Sequence, residues 1–295
     1  MIDLHMHTLY SDGTDTEIEL LEAAQKAGLN TIAITDHNTA KVYEVLENVD
    51  IDKYFKGKII TGIELNTTMC GVPIEILGFG FDYKLMNEKI KEVYMSAEER
   101  NKIEARRLYE ACLKAGFKLE ENCVDHFDGS CFASRFIQSE ICKHEENRSL
   151  IDPDSWNNLK NFYRKYMSNP EGPLYLDMTD IIPDFNTAAN LVRECGGLVF
   201  IPHIFEYRDN SRKILNEILE NYEFDGIECF YTNFTDEQTE EMVNLCKERG
   251  IYMSGGSDYH GKAKPDVAIA VGHGNLNIQD TIMEPWKDKL IYYKK

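Results

Sequence analysis

Apolar and polar positions recur along the chain in one order: a helical period behind a capping residue, a glycine, a short apolar run, then a polar cluster. Ile18, Leu20, Leu21 and Ala24 follow Thr14-Asp-Thr-Glu17 at helical spacing, and that tetrapeptide has the form of a capping box. Gly28 closes the helix, and residues 31–35 read as a buried strand running into Asp36-His37-Asn38. The unit returns with a helix over 188–195, a stop at Gly196-Gly197, a strand over 198–201 and a polar end at Pro202-His203. It returns again from the cap Thr235-Asp-Glu-Gln238 through Gly250 and residues 251–254 to Asp258-Tyr-His260. Residues 2–4, 59–63, 74–81, 226–230 and 268–271 are further strand candidates.

Strands alternating with helices predict parallel strands joined by helical crossovers, the α/β class. In such folds loops converge only beyond the carboxyl ends of the strands, and the polar clusters of this chain sit there. Seven or eight strands feeding one site favour a closed barrel over an open sheet. Residues 83–180 break the rhythm and read as helical material, opened by a capping box at Ser96-Ala-Glu-Glu99. The expected organisation is a barrel of residues 1–82 and 181–285 with a helical insertion, 83–180, forming a cap on the substrate side. Lys294-Lys295 reads as a frayed tail.

Composition narrows the partners. The 295 residues are 43% hydrophobic and 28% charged, enough for a large core, and carry a net charge of −19. So acidic a surface repels long nucleic acid but leaves room for a small anion in a locally positive pocket. No apolar run reaches membrane-spanning length, and the polar residues in Met-Ile-Asp-Leu-His leave no signal peptide. The eight cysteines form no CxxC pair and read as reduced core thiols, so a cytoplasmic location is expected. Oligomeric state is not legible.

The chemistry gathers at the strand ends. His5 and His7, two apart, leave one face of the first strand, and Asp258 and His260 repeat that spacing. Asp12 lies in the loop just after the first pair, and His37, Glu64 and His203 end or follow other strands. Imidazoles and carboxylates together suit Mn²⁺, Fe²⁺ or Zn²⁺, and the set is too large for one tetrahedral ion.

His5-Met-His7-Thr-Leu-Tyr-Ser11-Asp12-Gly13, Thr35-Asp36-His37-Asn38, Gly62-Ile63-Glu64 and Gly256-Ser257-Asp258-Tyr-His260 resemble the signature motifs of the polymerase and histidinol phosphatase (PHP) family. The order of elements is most similar to its stand-alone phosphoesterase branch, which includes 3′,5′-nucleoside bisphosphate phosphatases and 5′-to-3′ oligoribonucleases. The resemblance implies a distorted (β/α)7 TIM-like barrel and two or three divalent metal ions. By motif, His5, His7, Glu64 and Asp258 would hold one ion, and Asp12, His37 and His260 another. Glu64 would bridge to a position served by His203. There the family's usual histidine is replaced by Glu75, which is either a ligand favouring Mn²⁺ or Fe²⁺ or the mark of an empty third position.

The activity implied is hydrolysis of a small phosphorylated metabolite, a nucleotide by this resemblance, by a metal-bridging hydroxide. His203, Asp258 and Arg135 are the expected catalytic residues. Arg135, in Ser134-Arg-Phe-Ile137, resembles the family's phosphate-binding arginine, and Arg208 and Ser257 are further candidate substrate contacts. Histidinol phosphate is the alternative substrate. Less favoured are an amidohydrolase, which would want a lysine at a strand end, and a non-catalytic module.

Overall fold

The computed structural model describes residues 1–169 and 171–294. Its strands are β1 (Ile2–Asp3), β2 (Thr31–Ile34), β3 (Lys58–Met69), β4 (Val72–Phe79), β5 (Leu198–Ile201), β6 (Gly226–Tyr231), β7 (Tyr252–Gly256) and β8 (Tyr292–Lys294). Its helices are α1 (Glu17–Lys26), α2 (Lys41–Leu46), α3 (Tyr83–Val93), α4 (Ala97–Lys114), α5 (Ala133–Cys142), α6 (Pro153–Trp156), α7 (Leu159–Phe162), α8 (Phe185–Glu194), α9 (Ser211–Asn221) and α10 (Asp236–Arg249). The chain forms two compact units: Met1–Tyr94 joined to the segment from Ile182 onward, and Met95–Ile181. Helix α3, which the sequence groups with the insertion, belongs to the first unit.

In that first unit the strands lie in chain order from β1 to β7. The sheet nearly closes into a barrel, because the chain just beyond β1 meets the end of β7. The Leu4 amide donates to the Gly255 carbonyl at 3.1 Å, and the His7 amide to the Tyr259 carbonyl at 2.9 Å. Buried apolar side chains from β1, the residue run just beyond it, β2, β3 and β5 (Ile2, Leu4, Ala33, Ile60 and Phe200) form one core cluster with Trp286. A second cluster includes Leu20, Leu21 and Ala24 of α1, Ala188 and Val192 of α8, and the strand residues Ile32, Ile63 and Val199. Burial of these apolar faces drives the layering of helices on sheet.

The expectations for β4, residues 268–271 and Lys294 are corrected. Strand β4 is antiparallel to both β3 and β5, whereas the others from β1 to β7 pair in parallel. The cause is the two-residue loop Cys70-Gly71: both residues have positive φ, 53° and 74°, which is the hairpin geometry that returns a strand on itself. Residues 268–271 make a turn rather than a strand, with an isolated bridge between Ala268 and Gly272. Lys294 is not frayed, since β8 pairs with the start of β3, while Lys295 lies outside the described residues.

The caps at Ser96 and Thr235 form as the sequence indicates, and Gly250 ends α10 at φ 68°. The α1 box instead uses Thr16 and Glu19, two residues later than the one read from the sequence. Glu17 is thereby left to receive the Tyr10 hydroxyl. The second unit has its own core of Leu108, Cys112, Ile137, Ile141, Phe162 and Leu174, and no strand among its described residues. All eight cysteines are free thiols. Among the described residues no helix is long and apolar enough to cross a membrane.

Candidate metal centre

The first ligand pair follows from strand geometry. Leu4 and Met6 are buried apolar residues, so the alternating His5 and His7 share the other face of the extended chain. His37 follows β2 and bridges in parallel to Glu64, and the Asn38 amide donates to the Glu64 carbonyl at 2.8 Å. Glu64 sits in the middle of β3, not at a strand end as the sequence suggested, because the hairpin extends β3 to Met69. Glu75 enters from β4, in register with Asn66. His203 follows β5, and Asp258 and His260 follow β7.

Glu64 is the hub. Its Oε2 lies 3.2 Å from His5 Nε2, 3.2 Å from His7 Nε2 and 3.4 Å from His37 Nδ1, and its Oε1 lies 2.9 Å from His203 Nε2. Asp258 Oδ1 is 3.6 and 3.4 Å from the Nε2 atoms of His5 and His7. Asp12 reaches His260 Nε2 at 3.1 Å, His7 Nδ1 at 3.6 Å and His37 Nε2 at 3.7 Å. Glu75 stands 3.7 Å from His37 and 3.4 Å from His203.

Three groups bring their donor atoms within 4.8 Å of one another: His7, Asp12, His37 and His260; His5, His7 and Glu64; His37, Glu64 and Glu75. His7, His37 and Glu64 are each shared between two groups, a closer mesh than the separate ligand sets read from the sequence. The nitrogen and oxygen donors fit borderline-to-hard divalent ions. Buried His203 Nδ1 makes no hydrogen bond, and His7 Nε2 and His37 Nδ1 stand near carboxylate oxygens without a well-directed one, an unusual cost unless something else satisfies them.

A second layer orients these groups. Glu228 on β6, fully buried, accepts from His5 Nδ1 at 2.9 Å and from the His203 amide at 2.8 Å. That bond fixes the His5 tautomer and turns Nε2 toward Glu64. His260 Nδ1 likewise donates to the Asp258 carbonyl at 2.9 Å, leaving Nε2 for Asp12. Asp258 Oδ2 receives the Tyr231 hydroxyl at 2.8 Å and the Lys264 ammonium. Asp36, despite its place in a motif, accepts from the Thr8 amide and hydroxyl and the Ser11 hydroxyl at 2.6–2.7 Å, pinning the loop that carries Asp12.

The side chains balance their own charge. Burial alone would lower His7, but Asp258 and Glu64 outweigh it and push it up to about 10. His203 is carried up to about 9 against the same burial, chiefly by Glu64. His5 is also raised, by Glu64 and Glu228, whereas burial and the neighbouring His7 lower His260. Burial would raise Glu64 and Asp258, yet the imidazoles hold both carboxyls well below the usual range. Glu75 goes the other way, raised by burial and by the Glu64 charge.

The backbone is strained where it aims these groups. Asn38, His203 and Asp258 have φ of 52°, 23° and 56°, positions unfavourable for side chains with a Cβ. A Cβ on Gly256 would stand 2.4 Å from the His5 backbone nitrogen, so only glycine lets β7 approach so closely. Above the cluster lies a cavity of about 220 Å³ lined by Asp12, His37, Glu64, Glu75, His203, Glu206, Tyr231, Asp258, His260 and Lys264.

All nine ligands expected from the sequence therefore meet. The expected substrate contacts do not all join them. Ser257 is fully buried, its amide donating to Asp3 at 2.9 Å, and it does not line the cavity. Arg208 is exposed and does not line the cavity. Arg135 is an exposed residue in the first turn of α5, in the second unit. Sequence reasoning missed Glu228 and Lys264. A single acid within the apolar run 226–231 was the available signal for Glu228; Lys264, in a loop after the last motif, gave none.

Residues 3–119 match the PHP domain. A 5'-3' exoribonuclease from Haemophilus influenzae is 25% identical over 97% of this chain and 97% of its own. A 3',5'-nucleoside bisphosphate phosphatase from Chromobacterium violaceum is 24% identical over 92% of this chain and 90% of its own. The crystal structure of a putative metal-dependent phosphoesterase from Bifidobacterium adolescentis has the same fold, with a TM-score of 0.69 at 21% identity, over 98% of this chain and 96% of that one.

Proposed function

We propose that this chain, whose residues 3–119 match the PHP domain, is a metal-dependent phosphoesterase acting on a small phosphorylated substrate, a nucleotide 3′,5′-bisphosphate or the end of a short oligoribonucleotide. One observation carries the reading: five imidazoles and four carboxylates converge beside a cavity of about 220 Å³. A cavity of that size admits a phosphorylated end and not a folded nucleic acid. The names of the two relatives, both enzymes that cleave phosphate esters of nucleotides or RNA, support the substrate class.

Divalent ions in this cluster supply Lewis acidity toward a phosphoryl oxygen and neutralise the charge that develops on it. His5, His7, Glu64 and Asp258 would hold one ion, and Asp12, His37 and His260 another. Glu64, His203 and Glu75 would form the remaining position, and a carboxylate-rich site there would favour Mn²⁺ or Fe²⁺. The protein's own part is placement. Glu228 holds the His5 ring and the His203 backbone together, so two ligands from distant strands keep one geometry. Tyr231 ties down Asp258 Oδ2, leaving Oδ1 toward the imidazoles.

The test is a screen of Mn²⁺-loaded protein against 3′,5′-bisphosphates, short RNA and histidinol phosphate side by side. Turnover of the first or second, abolished by chelation and restored by Mn²⁺, is the expected result. Absence of hydrolysis with every monoester and diester would remove the phosphoesterase reading.

A further inference from the structure

The cavity that should receive an anion is lined by five carboxylate residues, Asp12, Glu64, Glu75, Glu206 and Asp258. Among the described lining residues, Lys264 alone carries a permanent positive charge. It follows a single 3₁₀ turn, Gly261–Ala263, that leaves β7 after His260. That turn is anchored: Thr14 accepts the Lys262 amide at 2.7 Å, and Gly261 takes φ 62° where a Cβ would strike Thr14 and Asp15. The lysine is therefore delivered to the cavity by a fixed backbone.

Its present partner is informative. Asp258 divides its two oxygens: Oδ1 faces His5 and His7, and Oδ2 faces Tyr231 and Lys264. Lys264 thus stands on the side of Asp258 away from the imidazoles, with its side chain 40% exposed. An ammonium has three donors, and the contact with Oδ2 uses one. Tyr231 also satisfies Oδ2, so Lys264 can turn toward the cavity without leaving a buried oxygen bare.

Resting on the phosphoesterase reading, we propose that Lys264 grips the substrate's phosphate, its Nζ donating to a non-bridging phosphoryl oxygen while the same side chain stays within reach of Asp258. This gives the first unit an anion contact of its own, in the role the sequence had given to Arg208. A compact ammonium on a flexible stem suits an incoming group that must settle against fixed ligands. No bond is made or broken by the lysine, so the contact strengthens binding of the phosphate dianion rather than replacing any step.

The decisive measurement is inorganic phosphate binding to Mn²⁺-loaded protein by calorimetry, for wild type, Lys264→Met and Lys264→Arg, with metal per chain determined on each sample. Lys264→Met should keep its metal and fold but bind phosphate about 10- to 100-fold more weakly, the worth of a hydrogen bond to a charged group. KM for a monoester should rise with it, with a smaller change in kcat, and Lys264→Arg should recover part of the loss. Phosphate affinity within about 2-fold of wild type would overturn the proposal. So would a loss of metal in Lys264→Met that excess Mn²⁺ repairs together with phosphate binding, because Lys264 would then serve only to position Asp258. If wild-type protein binds phosphate but hydrolyses no ester, the phosphoesterase reading fails while the lysine contact is still measured.

Discussion

Two hollows in the first unit differ in the opposite sense to their size. The larger, about 730 Å³, lies among Glu47, Thr61, Tyr83, Lys84 and Tyr293, and the smaller, about 220 Å³, opens on the histidine cluster. In the larger one the charged and aromatic groups around Tyr83 and Lys294 are paired with neighbours at the surface. Glu47 pairs with Lys84 at 2.8 Å, Lys294 with Asp52 at 2.9 Å, and Tyr83 and Tyr293 pack edge to face with centroids 5.5 Å apart. In the smaller one, buried imidazole nitrogens lack well-directed hydrogen bonds and carboxylates crowd one another. Volume marks where a molecule could sit; buried polarity left unsatisfied marks where the protein holds something.

The sharpest way to break this contrast is to remove a ligand. His7→Ala or Asp258→Ala should reduce phosphoesterase activity below detection while circular dichroism shows the helices intact, and wild-type turnover by either variant would defeat the site assignment. Chelation should act as strongly and, unlike those substitutions, reversibly. Next in size is Glu228→Gln, expected to cost about 10- to 100-fold in activity or metal affinity, because it loosens the tautomer lock on His5. Glu75→Gln should remove one ion per chain by elemental analysis if Glu75 is a ligand, and an unchanged metal count would restrict the site to the other positions.

Acidity offers a subtler comparison. His7 and His203 rise from an ordinary 6.5 to about 10 and about 9. A group raised in this way stabilises the fold fully below about 6.5 and ceases to do so as pH climbs through its folded value. The chelated protein should therefore melt progressively lower from neutral pH to about 10, and metal binding at neutral pH should release protons. Calorimetry in buffers of different ionisation enthalpy reads the second effect, and a proton count of zero would contradict it. The smallest change belongs to the larger hollow: Tyr83→Phe, which loses only a hydrogen bond to exposed Glu47, should leave turnover and metal content unaltered.

How much could be read beforehand follows the same division. His5 and His7 were legible because a period of two on an otherwise apolar segment fixes which side chains share a face. Asp258 and His260, beyond β7 with Asp258 at φ 56°, were legible only from the motif that carries them. The direction of β4 was not, since an apolar run reads alike whether its neighbours are parallel or antiparallel, and only the positive φ at Cys70-Gly71 decides it. Residues 268–271 have strand composition, yet the Ala270 amide is drawn to buried Asp3 at 2.8 Å and the segment turns instead. Glu228 and Lys264 act through partners more than twenty residues away or across an irregular loop, and periodicity carries no such information.

The antiparallel β4 has one more consequence. Most of the candidate ligands sit beyond strands that are joined to the next by a long excursion of the chain. Glu64 and Glu75 instead belong to a single hairpin, joined by a two-residue loop and held in register by pairs from Gly62–Phe79 to Met69–Val72. Their spacing is thus set locally, and a change in that short loop would retune one corner of the centre without disturbing the rest. Because side chains alternate along a strand, one residue inserted into the loop that slides β4 by a single position would swing the Glu75 carboxylate to the opposite face of the sheet. The hairpin is in effect an adjustable jaw on an otherwise rigid clamp, the place where related chains could change their ion while keeping the frame.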